Sequence, residues 1–229
     1  MIKKASRKKV KLKIGIAWPS GSGKTYSALK LARGLASSWD KICIIDTENG
    51  SGELYSHLGD YNAITLTTFA PKDYILAIKE CEQAGMEVII IDSVTHEWKA
   101  VLEEVERIAQ ASASKNSYTA WAKVTPAHDR FINAILQSNC HIIATVRSKQ
   151  DYDMSKDANG KTIVQKVGMK QETRDWFEYE LTVSFDIESK SHYATASKDR
   201  TGLFTEETNW FVISEETGKK LREWGEQWE

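Results

Sequence analysis

The sequence predicts an α/β fold: a mostly parallel central sheet with helices on both faces and an antiparallel C-terminal extension. Three observations carry this. Short apolar runs alternate with helical patterns from residue 11 to residue 146. Several of the runs are almost continuously apolar, as strands covered on both faces are. Beyond Arg147 a long polar stretch gives way to further strand candidates with no intervening helical pattern.

The elements follow in order. Lys11–Ala17 alternates and then becomes apolar, like a first strand. Lys24–Ser37 places Leu29, Leu31, Ala32, Leu35 and Ala36 at helical spacing. Lys41–Asp46 is an apolar run ending in an acid. Ala63–Phe69 is β-branched and aromatic, hence a strand. Lys72–Ala84 reads as a helix with Pro71 suited to its first turn. Val88–Asp92 is a second buried-strand run ending in an acid. Glu97–Ala113 and Pro126–Gln137 are helical, and Cys140–Val146 is another strand. Lys149–Arg174 is polar, with Asn159-Gly160 as a hairpin turn signal between two weak strands. Tyr179–Ile187, His192–Ser197 and Trp210–Ile213 are the antiparallel strand candidates. Ser214–Trp228 reads as a terminal helix with Ser214 or Thr217 as N-cap.

Length and composition bound the organisation. The 229 residues suit a basic tail over residues 1–10 and one domain over 11–229. Apolar residues make up 41%, enough for a core, and the net charge of -1 excludes a global basic field for nucleic acid or membrane. The tail carries Lys3, Lys4, Arg7, Lys8 and Lys9, followed by Lys11 and Lys13. It reads as a solvated arm or as a nucleic-acid contact. Cys43, Cys81 and Cys140 are scattered in apolar runs with no C-x-x-C pair, which predicts buried, reduced thiols. No apolar run reaches the roughly 18 residues of a membrane span, and no signal-peptide pattern is present. The expected location is cytoplasmic, with no membrane partner.

Trp18-Pro19-Ser20-Gly21-Ser22-Gly23-Lys24-Thr25 lies between the first strand and the first helix. Glycines in such a loop let backbone N–H groups turn inward around phosphate oxygens, and the helix adds its positive end. The pattern predicts a nucleoside triphosphate site, with ATP and Mg²⁺ as ligands. Ser20, Gly21, Ser22, Gly23, Lys24, Thr25 and Tyr26 form the cradle, Lys24 reaches the terminal phosphates, and Thr25 ligates the metal. The position of the usual first glycine is Trp18, a departure that restricts a tight exit from the strand.

Asp92, ending Val88–Asp92, stands where a strand-end carboxylate reaches Mg²⁺. The next residue is Ser93 rather than a glutamate, so the base that orients water must come from elsewhere. Glu48, in Asp46-Thr47-Glu48 at the end of the second strand, is the candidate, with Glu53 as reserve. Asp92-Ser93-Val94-Thr95 lacks the glycine of a GTPase signature, and no convincing kinase lid is present. His57, His96, His128, His141 and His192 have no metal-ligand spacing, so no zinc site is expected; Trp121 and His128 read as packing residues.

Ser197-Lys198-Asp199-Arg200-Thr201-Gly202 follows a predicted strand. With the phosphate loop, the I-D-T-E and I-I-I-D-S strand ends and the polar stretch, this order resembles the RecA-like ATPases. It is most similar to small phage-encoded RecA-like proteins proposed as single-strand annealing recombinases. The resemblance spans roughly residues 11–205.

The resemblance implies ATP hydrolysis with Glu48 as catalytic glutamate, and Lys198 and Arg200 as fingers completing a neighbouring subunit's site in a homo-oligomer. It makes Arg147 a sensor of phosphate state. It makes residues 149–174 the contact for single-stranded DNA, through Lys149, Lys161, Lys166, Lys170 and Arg174 with Tyr152 stacking and Arg147 just before the segment; Lys156 lies in the same stretch. It also implies a bacterial host cell. A nucleotide-binding regulatory or assembly protein with little turnover, a helicase or packaging motor, and a kinase stay open.

Overall fold

The computed structural model describes residues 10–112, 116–156, 162–204 and 210–227, without the side chains of residues 152–167. The sheet is built from β1 (Lys13–Trp18), β2 (Ile42–Asp46), β3 (Asn62–Thr65), β4 (Val88–Asp92), β5 (His141–Lys156), β6 (Thr162–Gln171), β7 (Val183–Ile187) and β8 (Ala194–Asp199). Their spatial order is β3-β2-β4-β5-β1-β7-β8, with β6 paired to the far half of β5. All neighbours from β3 to β7 are parallel; β8 and β6 are antiparallel to β7 and β5. This is the expected α/β architecture.

The continuous apolar runs arise because each central strand is covered twice. In β4, Val88 and Ile90 face α1 (Lys24–Leu35) and α6 (Glu215–Glu226). Ile89 and Ile91 face α2 (Pro71–Gln83) and α4 (Ser117–Gln137). A smaller cluster joins α4 to α3 (Val94–Ala111) through Val101, Val105, Ala120 and Val124. Helices α1 and α6 meet at two glycines. A Cβ on Gly34 would lie 2.0 Å from the Glu215 carbonyl oxygen, and one on Gly218 would lie 2.2 Å from that of Leu31. Ser214 and Thr217 form the capping box of α6.

Several expectations change. Tyr179 belongs to a short helix, α5 (Phe177–Glu180), rather than to the strand that follows. Trp210–Ile213 contributes only the bridge Phe211–Ala194. Helix α4 starts before Pro126, which sits inside it. The polar stretch is a two-stranded ribbon, whose register shifts at Asp151/Tyr152 and whose turn signal lies outside the described residues. Residues 1–9 of the basic tail also lie outside them. Lys13, counted with that tail, is buried: its ammonium donates to the Ser138 and Cys140 carbonyls at 2.8 and 2.7 Å. Burial holds its pKa down at about 8. The three cysteines are free and buried. Among the described residues no helix is long and apolar enough to cross a membrane.

Candidate nucleotide site

The site forms at the carboxyl edge of the parallel strands, where open α/β sheets place ligands. Strand β1 runs directly into the phosphate loop. Trp18 is its last residue and pairs in register with Arg147, so this position is extended backbone and does not require glycine. The turn comes later, at Gly21 and Gly23, with φ of 83° and 87°. Ser22 between them is fully buried, and its hydroxyl has no hydrogen-bond partner. Lys24 is buried and donates to the Trp18 and Pro19 carbonyls at 2.9 Å each. Burial lowers its pKa against the opposing pull of Asp92 and Glu48. Tyr26, on the exposed side of α1, meets Tyr55 edge to face at 5.9 Å.

Asp92 and Thr25 come together: the threonine hydroxyl donates to Oδ2 at 2.5 Å. Thr145 of β5 donates to the other carboxylate oxygen. The carboxyl is buried, which pushes its pKa up. Two hard oxygen donors beside a backbone nest fit Mg²⁺ and a phosphate chain. Among the described residues no group of three or more His, Cys, Asp or Glu is placed to hold a metal; Mg²⁺ here would take its remaining ligands from phosphate oxygens and water. The Asp92–Ser93 peptide bond is cis.

Glu48 stands beyond β2, and its placement is set by Asp46. One Asp46 oxygen accepts from the Glu48 N–H at 2.5 Å and the other from the Gly52 N–H at 2.9 Å, fixing the intervening turn. Arg147 reaches across from β5 and donates to Glu48 Oε1 from Nε at 3.1 Å and from Nη2 at 2.7 Å. The first turn of α3 supports both. Thr95 accepts from the Arg147 N–H at 2.9 Å, and His96 Nδ1 lies 2.7 Å from the Thr47 hydroxyl while stacking on Phe69. Burial and the Arg147 charge lower the His96 pKa.

The sequence-derived set divides accordingly. Lys24, Thr25, Asp92, Glu48 and Arg147 converge. Lys198 and Arg200 do not join their own chain's loop: they flank Asp199, which pairs with Val183 at the start of β7. Both donate to the carbonyl of Tyr179, and Lys198 also to that of Glu178 at 2.8 Å. Of the basic ribbon residues, Lys149 pairs with Glu172 at 3.9 Å, Lys170 with Asp175 at 3.5 Å and Arg174 with Asp129 at 2.7 Å. Lys161, and the side chains of Lys166, Lys156 and Tyr152, lie outside the described residues. Thr145, Thr95, His96 and His192 were not legible as site residues: Thr145 and His192 lie in segments with no motif, and the contacts of Thr95 and His96, just past the Asp92 strand end, depend on how α3 docks.

A family model described as an AAA domain matches residues 10–212. No curated protein matches. Among solved structures, a KaiC-like protein from the hyperthermophilic archaeon Pyrococcus horikoshii OT3 is similar, at 14% identity and a TM-score of 0.45, over 89% of this chain and 87% of that one.

Proposed function

The chain belongs to this AAA-domain family of P-loop ATPases, and on that premise we propose that it hydrolyses MgATP in DNA recombination or strand annealing, as an oligomer bound to single-stranded DNA. The observation that carries the hydrolytic part is the convergence of Lys24, Thr25, Asp92 and Glu48 at one sheet edge. The loop N–H groups and Lys24 hold the phosphates, while Thr25 and Asp92 hold the metal. Mg²⁺, when bound, neutralises charge on the phosphate oxygens. Glu48 orients the attacking water, with Arg147 governing when its carboxylate is available. Lys198 and Arg200 leave the Tyr179 carbonyl to reach a neighbouring subunit's phosphates.

The DNA part rests on aromatic surface at the ribbon base. Trp98 and Trp121 lie 5.7 Å apart, and Trp176 is 73% exposed; they line one cleft with Lys149, Lys170 and Arg174. Stacking and phosphate neutralisation suit a flexible strand. One observation favours a second reading, a nucleotide-binding regulator with little turnover: the described ribbon cations are already matched by acids, and Arg147 holds Glu48.

ATPase rate measured with and without single-stranded DNA separates these. A rate stimulated several-fold, with DNA retained, supports the recombination reading. Unchanged slow turnover with no DNA retention rejects it in favour of the regulator. Phosphate transfer to a small acceptor would instead indicate a kinase.

A further inference from the structure

We propose that His192 is a positioning residue of the phosphate loop, holding the Ser22–Gly23 peptide in its phosphate-facing orientation; this rests on the reading of the loop as a nucleotide cradle. His192 belongs to the turn between β7 and β8, 170 residues from its partner. Its Nδ1 lies 3.0 Å from the Ser22 carbonyl oxygen. A carbonyl oxygen only accepts, so Nδ1 carries the proton and donates.

A trans peptide is planar, and its C=O and N–H point in opposite directions. Tethering the Ser22 carbonyl toward the β7–β8 turn therefore aims the Gly23 N–H the other way, into the loop. The adjoining peptide is tethered too: the Gly23 carbonyl accepts from the Ser27 N–H at 2.9 Å, opening α1. The two peptides that flank the second left-handed glycine are thus fixed, one by the helix and one by a distant histidine. The ring also lies against Gly23, where an added Cβ would stand 3.4 Å from Nδ1.

The turn is built to present this ring. His192 has φ of 58°, a conformation uncommon outside glycine and held here by its surroundings. Its N–H donates to the Glu188 carbonyl at 2.9 Å, and the Glu188 N–H donates to that of Tyr193 at 2.8 Å. The Glu188 carboxylate accepts from the Ser191 N–H at 2.7 Å and from its hydroxyl at 2.5 Å. Such a latch organises the cradle before the ligand arrives, so that binding does not have to order it.

Isosteres of the two ring nitrogens test this. The asparagine amide nitrogen reproduces Nδ1, the glutamine amide nitrogen reproduces Nε2, and asparagine tolerates positive φ. MgATP affinity is measured by calorimetry for wild type, His192→Ala, His192→Asn and His192→Gln, with Lys24→Ala as the cradle control. Loss of the single tether is expected to weaken binding about tenfold in the alanine and glutamine variants. Asparagine is expected to stay near wild type. Melting of the nucleotide-free proteins should change little, which separates the latch from a folding role. Wild-type affinity in the alanine variant, or equal rescue by glutamine and asparagine, overturns the latch. A wild-type chain that binds MgATP no better than Lys24→Ala overturns the cradle reading on which it rests.

Discussion

Arg147 and Glu48 meet through two N–H donors on one oxygen: Nε and Nη2 lie 3.1 and 2.7 Å from Glu48 Oε1. The contact joins the ends of β5 and β2 across the intervening β4. Glu48→Gln is expected to bind ATP with near wild-type affinity and to lose on the order of 10²-fold in turnover. Because the two side chains act on each other, Arg147→Ala and Glu48→Gln should be non-additive in a double-mutant cycle of phosphate-release rates. Wild-type turnover in Glu48→Gln would remove Glu48 from its role.

Asp92 accepts from Thr25 and Thr145 in a buried position. If Asp92 holds the metal as proposed, Asp92→Asn removes its charged protein donor. Nucleotide affinity should then respond weakly to Mg²⁺, by roughly a tenth of the wild-type stimulation. Calorimetry with Mg²⁺ and with a chelator checks this, and equal stimulation in both proteins would argue against metal binding there.

Gly34 and Gly218 allow α1 and α6 to touch backbone to backbone. Gly34→Ala or Gly218→Ala forces the helices apart and should cost about 3 kcal/mol or more. For a chain of this size that lowers the melting temperature by roughly 6–12 °C. Thermal unfolding of both variants is the measurement; unchanged melting would mean the helices separate at no cost.

His141 is buried and accepts from the Leu12 N–H at 3.1 Å. Burial, aided by Lys11 and Lys13, pushes its pKa down to about 3 from an ordinary 6.5. The unfolded chain therefore binds this proton first. The stability that neutral His141 contributes is fully present above pH 6.5 and is lost as pH falls toward 3, amounting to about 3 kcal/mol by pH 4. His141→Asn retains an acceptor without titrating. It should match wild type at neutral pH and lose less stability between pH 6.5 and 4, as read from denaturant midpoints.

Lys198 and Arg200 hold a carbonyl of their own chain, several positions down the sheet from their own phosphate loop. If they serve a neighbouring site, Arg200→Ala and Lys24→Ala subunits are each inactive alone and recover part of their ATPase rate when mixed. No recovery over a range of ratios would reject action between subunits.

The fold class was legible because its signals are local. Continuous apolar runs mark strands covered twice, and Ser20–Thr25 marks a phosphate loop through residue type and spacing alone. Asp92 and Glu48 were legible as strand-end acids. The sequence did not reveal that β1 continues through Trp18, because only its pairing with Arg147 shows this. Nor did it separate buried Lys13 from the basic tail beside it. Thr145, Thr95, His96 and His192 reach the site through strand order and helix docking, and the Glu48–Arg147 pair spans 99 residues. Local pattern determines which elements form; which side chains meet depends on the register of strands distant in sequence, and only the assembled sheet decides that.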